Sequence, residues 1–232
     1  MNEIAENLRR LRDRIARAEA AADRLPGSVR LLAVSKTQPA AAVRAAAAGG
    51  QSAFGENYVQ EGLAKAAALA DLPLEWHFIG PLQGNKTREV AEHFHWIHSV
   101  DRDRIARRLA GQRPARLPPL QVCLQVNIDD EAGKSGCAPA ALPALVRAVL
   151  ALPRLELRGL MCIPRPGNVA AFADLAKTRQ HLLASIPGLS PERFDTLSMG
   201  MSDDLEAAIA AGSTLVRIGS ALFGARPKPA AR

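Results

Sequence analysis

The chain has 232 residues, 48% of them hydrophobic, enough for one large core and in keeping with a single domain of the bigger kind. No run approaches the roughly 18 apolar residues that cross a bilayer, the start "MNEIAENLRRLRDR" is too charged for a secretory signal, and three scattered cysteines, Cys123, Cys137 and Cys162, match neither a disulfide framework nor a paired zinc motif. A formal charge of +7 raises nucleic acid as a partner, but the early arginines alternate with Asp13, Glu19 and Asp23, and aromatics are only 4% of residues, which leaves few stacking platforms.

Residues 1–26 read as an amphipathic helix, with Leu8, Leu11 and Ile15 at helical spacing. After it, short apolar runs alternate with Ala-rich stretches in constant phase, the pattern of a parallel α/β fold. The strand candidates are "LLAVSK" (31–36), "SAFGEN" (52–57), "EWHFIG" (75–80), "HWIHSV" (95–100), "LQVCLQVN" (120–127), "LELRGLMCI" (155–163), "FDTLSMG" (194–200) and "TLVRIGS" (214–220). Helices between them are read in "PAAAVRAAAAGG", "ALPALVRAVLALP", "NVAAFADLAKTRQHLLASI" and "SDDLEAAIAAG", the last with Ser202 as N-cap and Gly212 past its end. Eight such units favour a closed (β/α)8 barrel of the TIM type with an extra N-terminal helix; periodicity alone leaves an open doubly wound sheet as the alternative. "RPARLPPL" reads as a loop and 225–232 as a flexible tail, and nothing divides the chain, so one domain over 1–232 is expected.

"LLAVSK" carries an apolar strand straight into Lys36. A lysine at a strand end is ordinarily only solvated. In an eight-fold barrel, however, polar residues that close separate strands meet at the C-terminal face. Here they are Lys36, Asn57, His77 with "GPLQGNK" after it, Ser99, Asn127, Met161, Ser198 and Arg217. "SMGMS" (198–202) opens a helix, and "RIGS" sets Gly219 where backbone approaches an anion closely, with Ser220 as donor. Both follow the seventh and eighth strands, where barrels hold phosphate, although a Gly/Ser turn is by itself more often a cap. A lysine facing such a cradle suits imine formation with an aldehyde that carries a phosphate, because partial desolvation frees the amine of its proton. Pyridoxal 5′-phosphate is such a molecule. Arg217 beside its pyridine nitrogen can only donate, which keeps the nitrogen unprotonated and the ring a weaker electron sink. Otherwise Arg217 pairs with a strand neighbour.

"AVSKTQP", "FGENYVQE", "WHFIGPLQGNK", "SVDR", "GKSG", "LRGLMCI" and "LSMGMSDDLEAAIAAGSTLVRIGSALFG" resemble the pyridoxal phosphate homeostasis proteins, relatives of the N-terminal barrel of alanine racemase. The likeness runs in order from the first helix to Gly224. It implies a barrel that holds pyridoxal 5′-phosphate as an imine on Lys36. Ser198, Gly219 and Ser220 would hold the phosphate with help from Met199 and Ser202, Arg217 would face the pyridine nitrogen, and Asn57 would lie near the ring. It further implies a role in vitamin B6 and amino-acid homeostasis without efficient turnover, with apo-enzymes as recipients. Lys134 and Lys228 are lesser candidates.

Racemases similar to it use a second domain and a partner-subunit tyrosine as the opposing base, whereas this chain has one tyrosine, Tyr58. His77, Cys162 or water would be weak substitutes. A racemase or lyase acting on a small amino acid stays open as the alternative, as does a lysine-imine aldolase for a sugar phosphate, which gives Arg217 no role. His77 itself reads as a hydrogen-bonded barrel residue, and the cysteines as idle thiols. His93, His95 and His98 are too closely spaced for a metal, with His95 and His98 on opposite strand faces. Lys86 reads as a solvated charge. A cytoplasmic monomer is expected.

Overall fold

Among the described residues, eight short strands pair in sequence order and close on themselves: β1 (Arg30–Val34), β2 (Ala53–Glu56), β3 (Glu75–Phe78), β4 (Trp96–Val100), β5 (Leu120–Gln125), β6 (Leu155–Met161), β7 (Thr196–Ser198) and β8 (Leu215–Ile218). Every pairing is parallel, and β1 completes the ring by pairing with both β2 and β8. This computed structural model describes residues 3–131 and 133–224. Each sequence-read run is present as a strand, all but the fourth ending earlier than the run and β1 starting one residue before it; the polar residues that close most runs lie in the connections beyond the hydrogen-bonded ladder.

Period-two alternation divides the apolar residues into two populations. Ala33, Phe54, Phe78, Ile97, Leu124, Leu160, Val216 and Ile218 face outward and join the helices in one continuous core. Leu32, Ala53 and Leu215 form a small separate cluster, and Trp96, Cys123 and Met161 another; these fill the barrel itself. The interior also carries polar groups, since His77, His98 and Ser198 are fully buried.

The barrel is wrapped by α1 (Glu3–Ala21), α2 (Ala40–Ala48), α3 (Val59–Ala68), α4 (Thr87–His93), α5 (Asp103–Gln112), α6 (Leu142–Leu150), α7 (Ala170–Ser185), α8 (Leu205–Ala210) and α9 (Ser220–Phe223). α9 is a single turn, and α1 packs against α2, α8 and α9, covering the wall that a longer last helix would cover. Its buried stripe is Leu8, Leu11, Ile15 and Ala18. Glu19, also buried, accepts the backbone N–H groups of Gly27 (3.0 Å) and Val29 (2.7 Å) and so fixes α1 to the approach of β1.

One expectation is corrected. α8 starts at Leu205 with Asp204 before it, not Ser202, because the Asp204 Oδ1 accepts Met201 N–H at 2.6 Å and closes a separate turn first. Residues 225–232, with Lys228, lie outside the described residues. Among those described, no helix is long and apolar enough to cross a membrane.

Candidate functional site

Lys36 sits two residues beyond the end of its strand, and both of its neighbours are pinned. The Ser35 N–H donates to Gly55 O at 3.0 Å, and its hydroxyl donates to Glu56 Oε1 at 2.6 Å. Lys65 reaches back from α3 and donates to Ser35 O (2.5 Å), Glu56 Oε1 (2.7 Å) and Glu61 Oε1 (2.6 Å), which occupies all three ammonium hydrogens. On the other side, the Thr37 N–H donates to Glu61 Oε1 at 2.5 Å while Thr37 itself takes a φ of 66°. A β-branched residue in that left-handed region is strained, and it persists only where the surroundings over-determine it. Burial pushes the Glu56 carboxyl above its ordinary range, against the hydrogen bonds from Lys65 and Ser35.

The Lys36 side chain enters a cavity of about 240 Å³ at the C-terminal face of the barrel. Asn57, Ser202, Arg217, Gly219 and Ser220 line the same cavity, together with Val34, Ile79, Ile163 and Met201, which give it apolar walls. The connections after β7 and β8 bring the hydroxyls of Ser202 and Ser220 within 3.3 Å of each other. That approach depends on Gly200, whose φ of 96° and closeness to Ala208, 2.6 Å from an added Cβ, exclude other residues. Gly219 lies against the end of β1, where an added Cβ would come within 3.2 Å of Val34 O. The Arg217 guanidinium is buried and braced by Ser198 O (2.5 Å), Ser198 Oγ (2.9 Å) and Cys162 O (2.9 Å). Asn57 Oδ1 is buried without a hydrogen-bond partner among the described residues. An amine, a guanidinium, paired hydroxyls beside a close-approach glycine and an orphaned amide oxygen form a donor and acceptor set that fits a phosphorylated aromatic aldehyde.

The family model for the alanine racemase N-terminal domain matches residues 2–227. The pyridoxal phosphate homeostasis protein of Pseudomonas aeruginosa is 63% identical over 228 residues, covering 97% of each chain. That of Escherichia coli is 54% identical over 231 residues, covering 97% of this chain and 98% of its own. The chain belongs to this family. Among solved structures, PipY of Synechococcus elongatus, determined with PLP bound, superimposes with a TM-score of 0.83 at 43% identity, covering 95% of this chain and 100% of that one.

Of the residues singled out in the sequence, the family barrel gathers Lys36, Asn57, Ser202, Arg217, Gly219 and Ser220 around one cavity. Ser198 and Met199 are placed beneath it. Both are fully buried, and the Ser198 hydroxyl is engaged by Arg217 and by His98 Nδ1 at 2.8 Å. Lys134 pairs with Glu131, and Lys86 with Glu89 at 3.1 Å. His77 and Cys162 do not reach the cavity lining. Burial pushes the Cys162 and Cys123 thiols up to about 12 and Cys137 to about 11, so all three are protonated and inert at neutral pH.

Sequence reading missed Lys65, Glu56 and Glu61, which hold the Lys36 segment, and Arg14, whose Nη1 donates to Ser202 O at 2.8 Å from α1. The charge alternation of α1 hides Arg14 among the five arginines of one surface-like helix. Only the docking of α1 beside the start of α8 distinguishes it.

Proposed function

We propose that this protein is a cytoplasmic carrier and buffer of pyridoxal 5′-phosphate, a single-domain monomer that binds the cofactor through Lys36 and passes it to apo-enzymes, serving vitamin B6 and amino-acid homeostasis. The observation that carries this reading is the convergence of Lys36, Arg217, Gly219 and the hydroxyls of Ser202 and Ser220 on one cavity. When bound, the group supplies an aldehyde that condenses with an amine, losing water, and a ring that draws electrons from the new bond. Lys36 Nζ is that amine. Ser202, Ser220 and the backbone at Gly219 would take the phosphate, Arg217 would donate to the ring nitrogen, and Asn57 would lie near the ring. Ser198 and Met199 support this cradle from below, Ser198 by holding Arg217. The names of the relatives and the PLP-bound neighbour support pyridoxal 5′-phosphate as the ligand. The cavity lining adds only Asp203 to Lys36 and Arg217 as ionisable groups among the described residues, a sparse set for two-base proton transfer, which favours carrying over turnover.

The test is the absorption spectrum of the protein with added pyridoxal 5′-phosphate, followed by borohydride reduction and peptide mass mapping, in wild type and Lys36→Ala. A yellow band fixed by reduction onto Lys36, and lost or relocated in the variant, is expected. No band at saturating cofactor would overturn the assignment, and exchange of an amino acid's α-hydrogen with deuterated solvent at turnover rates would replace the carrier by an enzyme.

A further inference from the structure

Arg217 is 5% exposed, yet its hydrogen bonds go to neutral oxygens, those of Ser198 and Cys162. A cation so placed needs an anion to offset its desolvation. Beyond Ser198 an unbroken file of contacts crosses the barrel: Ser198 Oγ to His98 Nδ1 at 2.8 Å, His98 Nε2 to His77 Nδ1 at 2.9 Å, and His77 Nε2 to Glu75 Oε1 at 2.7 Å. Glu75 is paired with Arg30 at 2.6 Å. We propose that Ser198, His98, His77 and Glu75 are positioning residues for Arg217, forming a one-directional hydrogen-bond relay that serves the guanidinium as a remote counter-ion.

The direction follows from the two ends. Arg217 has only donors, and an ionised Glu75 has only acceptors. His77 Nε2 therefore carries a hydrogen toward Glu75, which leaves Nδ1 to accept from His98 Nε2–H. His98 Nδ1 must then accept from the Ser198 hydroxyl, and the Ser198 oxygen presents its lone pairs to Arg217 Nη1. Reversing the file would aim His77 Nε2 as an acceptor at Glu75 and require that carboxyl to be protonated beside Arg30. Charging His77 instead would place an imidazolium where nothing is exposed. Burial pushes both His77 and His98 below their ordinary range, so each is neutral. Burial alone would raise Glu75, but the hydrogen bond from the neutral His77 and the charge and hydrogen bond of Arg30 oppose it and hold the carboxyl below its ordinary range. Trp96 stacks on His77 at 5.3 Å and 7° and packs with Cys123 and Met161 inside the barrel.

The relay stands independently of the function proposed above; only its consequence for the cofactor rests on that function. Long-range proton–nitrogen correlation spectra of the 15N-labelled protein without added ligand, assigned with His77→Gln and His98→Gln, report each tautomer. Neutral Nε2–H forms at both residues are expected. An Nδ1–H tautomer or an imidazolium at either would overturn the proposal. In pyridoxal 5′-phosphate titrations, His98→Leu should weaken binding about ten-fold and shift the visible band, while His98→Gln, which keeps an acceptor and a donor, restores both to within about two-fold. A folded His98→Leu with unchanged affinity and band would also overturn it; if that variant does not fold, the wild-type tautomers decide. Absence of any cofactor signal in the wild type would sink the functional reading and leave the tautomer result standing.

Discussion

Lys65 shows how much of the site depends on a residue that never enters the cavity. Its side chain is 7% exposed, and the ammonium sits between two carboxylates and the carbonyl that precedes Lys36. Glu56, on its other side, has a second oxygen, Oε2, buried without a partner among the described residues. Lys65→Met therefore strands a buried carboxylate, and urea unfolding should show a loss of about 3 kcal/mol. Adding Glu56→Gln removes the stranded charge and should return more than half of that loss, whereas simple addition of two penalties would show that the pair is not coupled. In "FGENYVQEGLAK" nothing announces this arrangement. Glu61 and Lys65 read as an ordinary i,i+4 pair on a helix face, and only the fold of β2 back beside β1 turns that face toward Ser35.

At the scale of elements, the strands were legible because eight apolar runs kept their phase, and the cradle was legible because its parts are contiguous in sequence: "SMGMS" and "RIGS" each carry their own glycine and hydroxyl. Strand ends were read too far because a polar residue just past a strand looks, in sequence, like its last member. The role of α1 was not legible beyond its apolar stripe. It braces the β7 to α8 connection through Arg14, which bonds Ser202 O and clasps Glu206 at 2.5 and 2.6 Å on an exposed surface. Since surface pairs contribute little to global stability, Arg14→Met should cost no more than about 1 kcal/mol. The same change frees the Ser202 segment, and a pyridoxal 5′-phosphate titration should show affinity lower by about three-fold or more, on the order of one neutral hydrogen bond. An affinity equal to wild type would mean that the connection holds its shape through Gly200 and the Asp204 turn alone.

For the molecule as a whole, barrel closure decides what the sequence cannot show. Glu75 and His77 belong to β3, His98 to β4, Ser198 to β7 and Arg217 to β8, and no periodicity links residues separated by up to 142 positions until the ring closes. Closure also sets how stability depends on pH. His77 and His98 are fully buried with their basicity lowered from the ordinary value of 6.5, while in the unfolded chain each protonates near that value. The unfolded state thus binds more protons as pH falls below about 6.5, so stability is full above that pH and declines beneath it, with a slope reaching about 3 kcal/mol per pH unit for two histidines. His95, also lowered by burial, acts with the same sign. Glu75 adds a separate contribution, present above the ordinary 4.5 and lost as pH falls toward about 2. Glu56 has the opposite sign because its carboxyl is raised, and its part is lost as pH rises through that raised value. Urea unfolding between pH 8 and pH 5 should therefore show a plateau followed by a steep acid decline, and His98→Gln should remove about one proton from the slope. A flat profile over that range would mean that the buried histidines take up protons without cost, and the relay's fixed direction would fall with it.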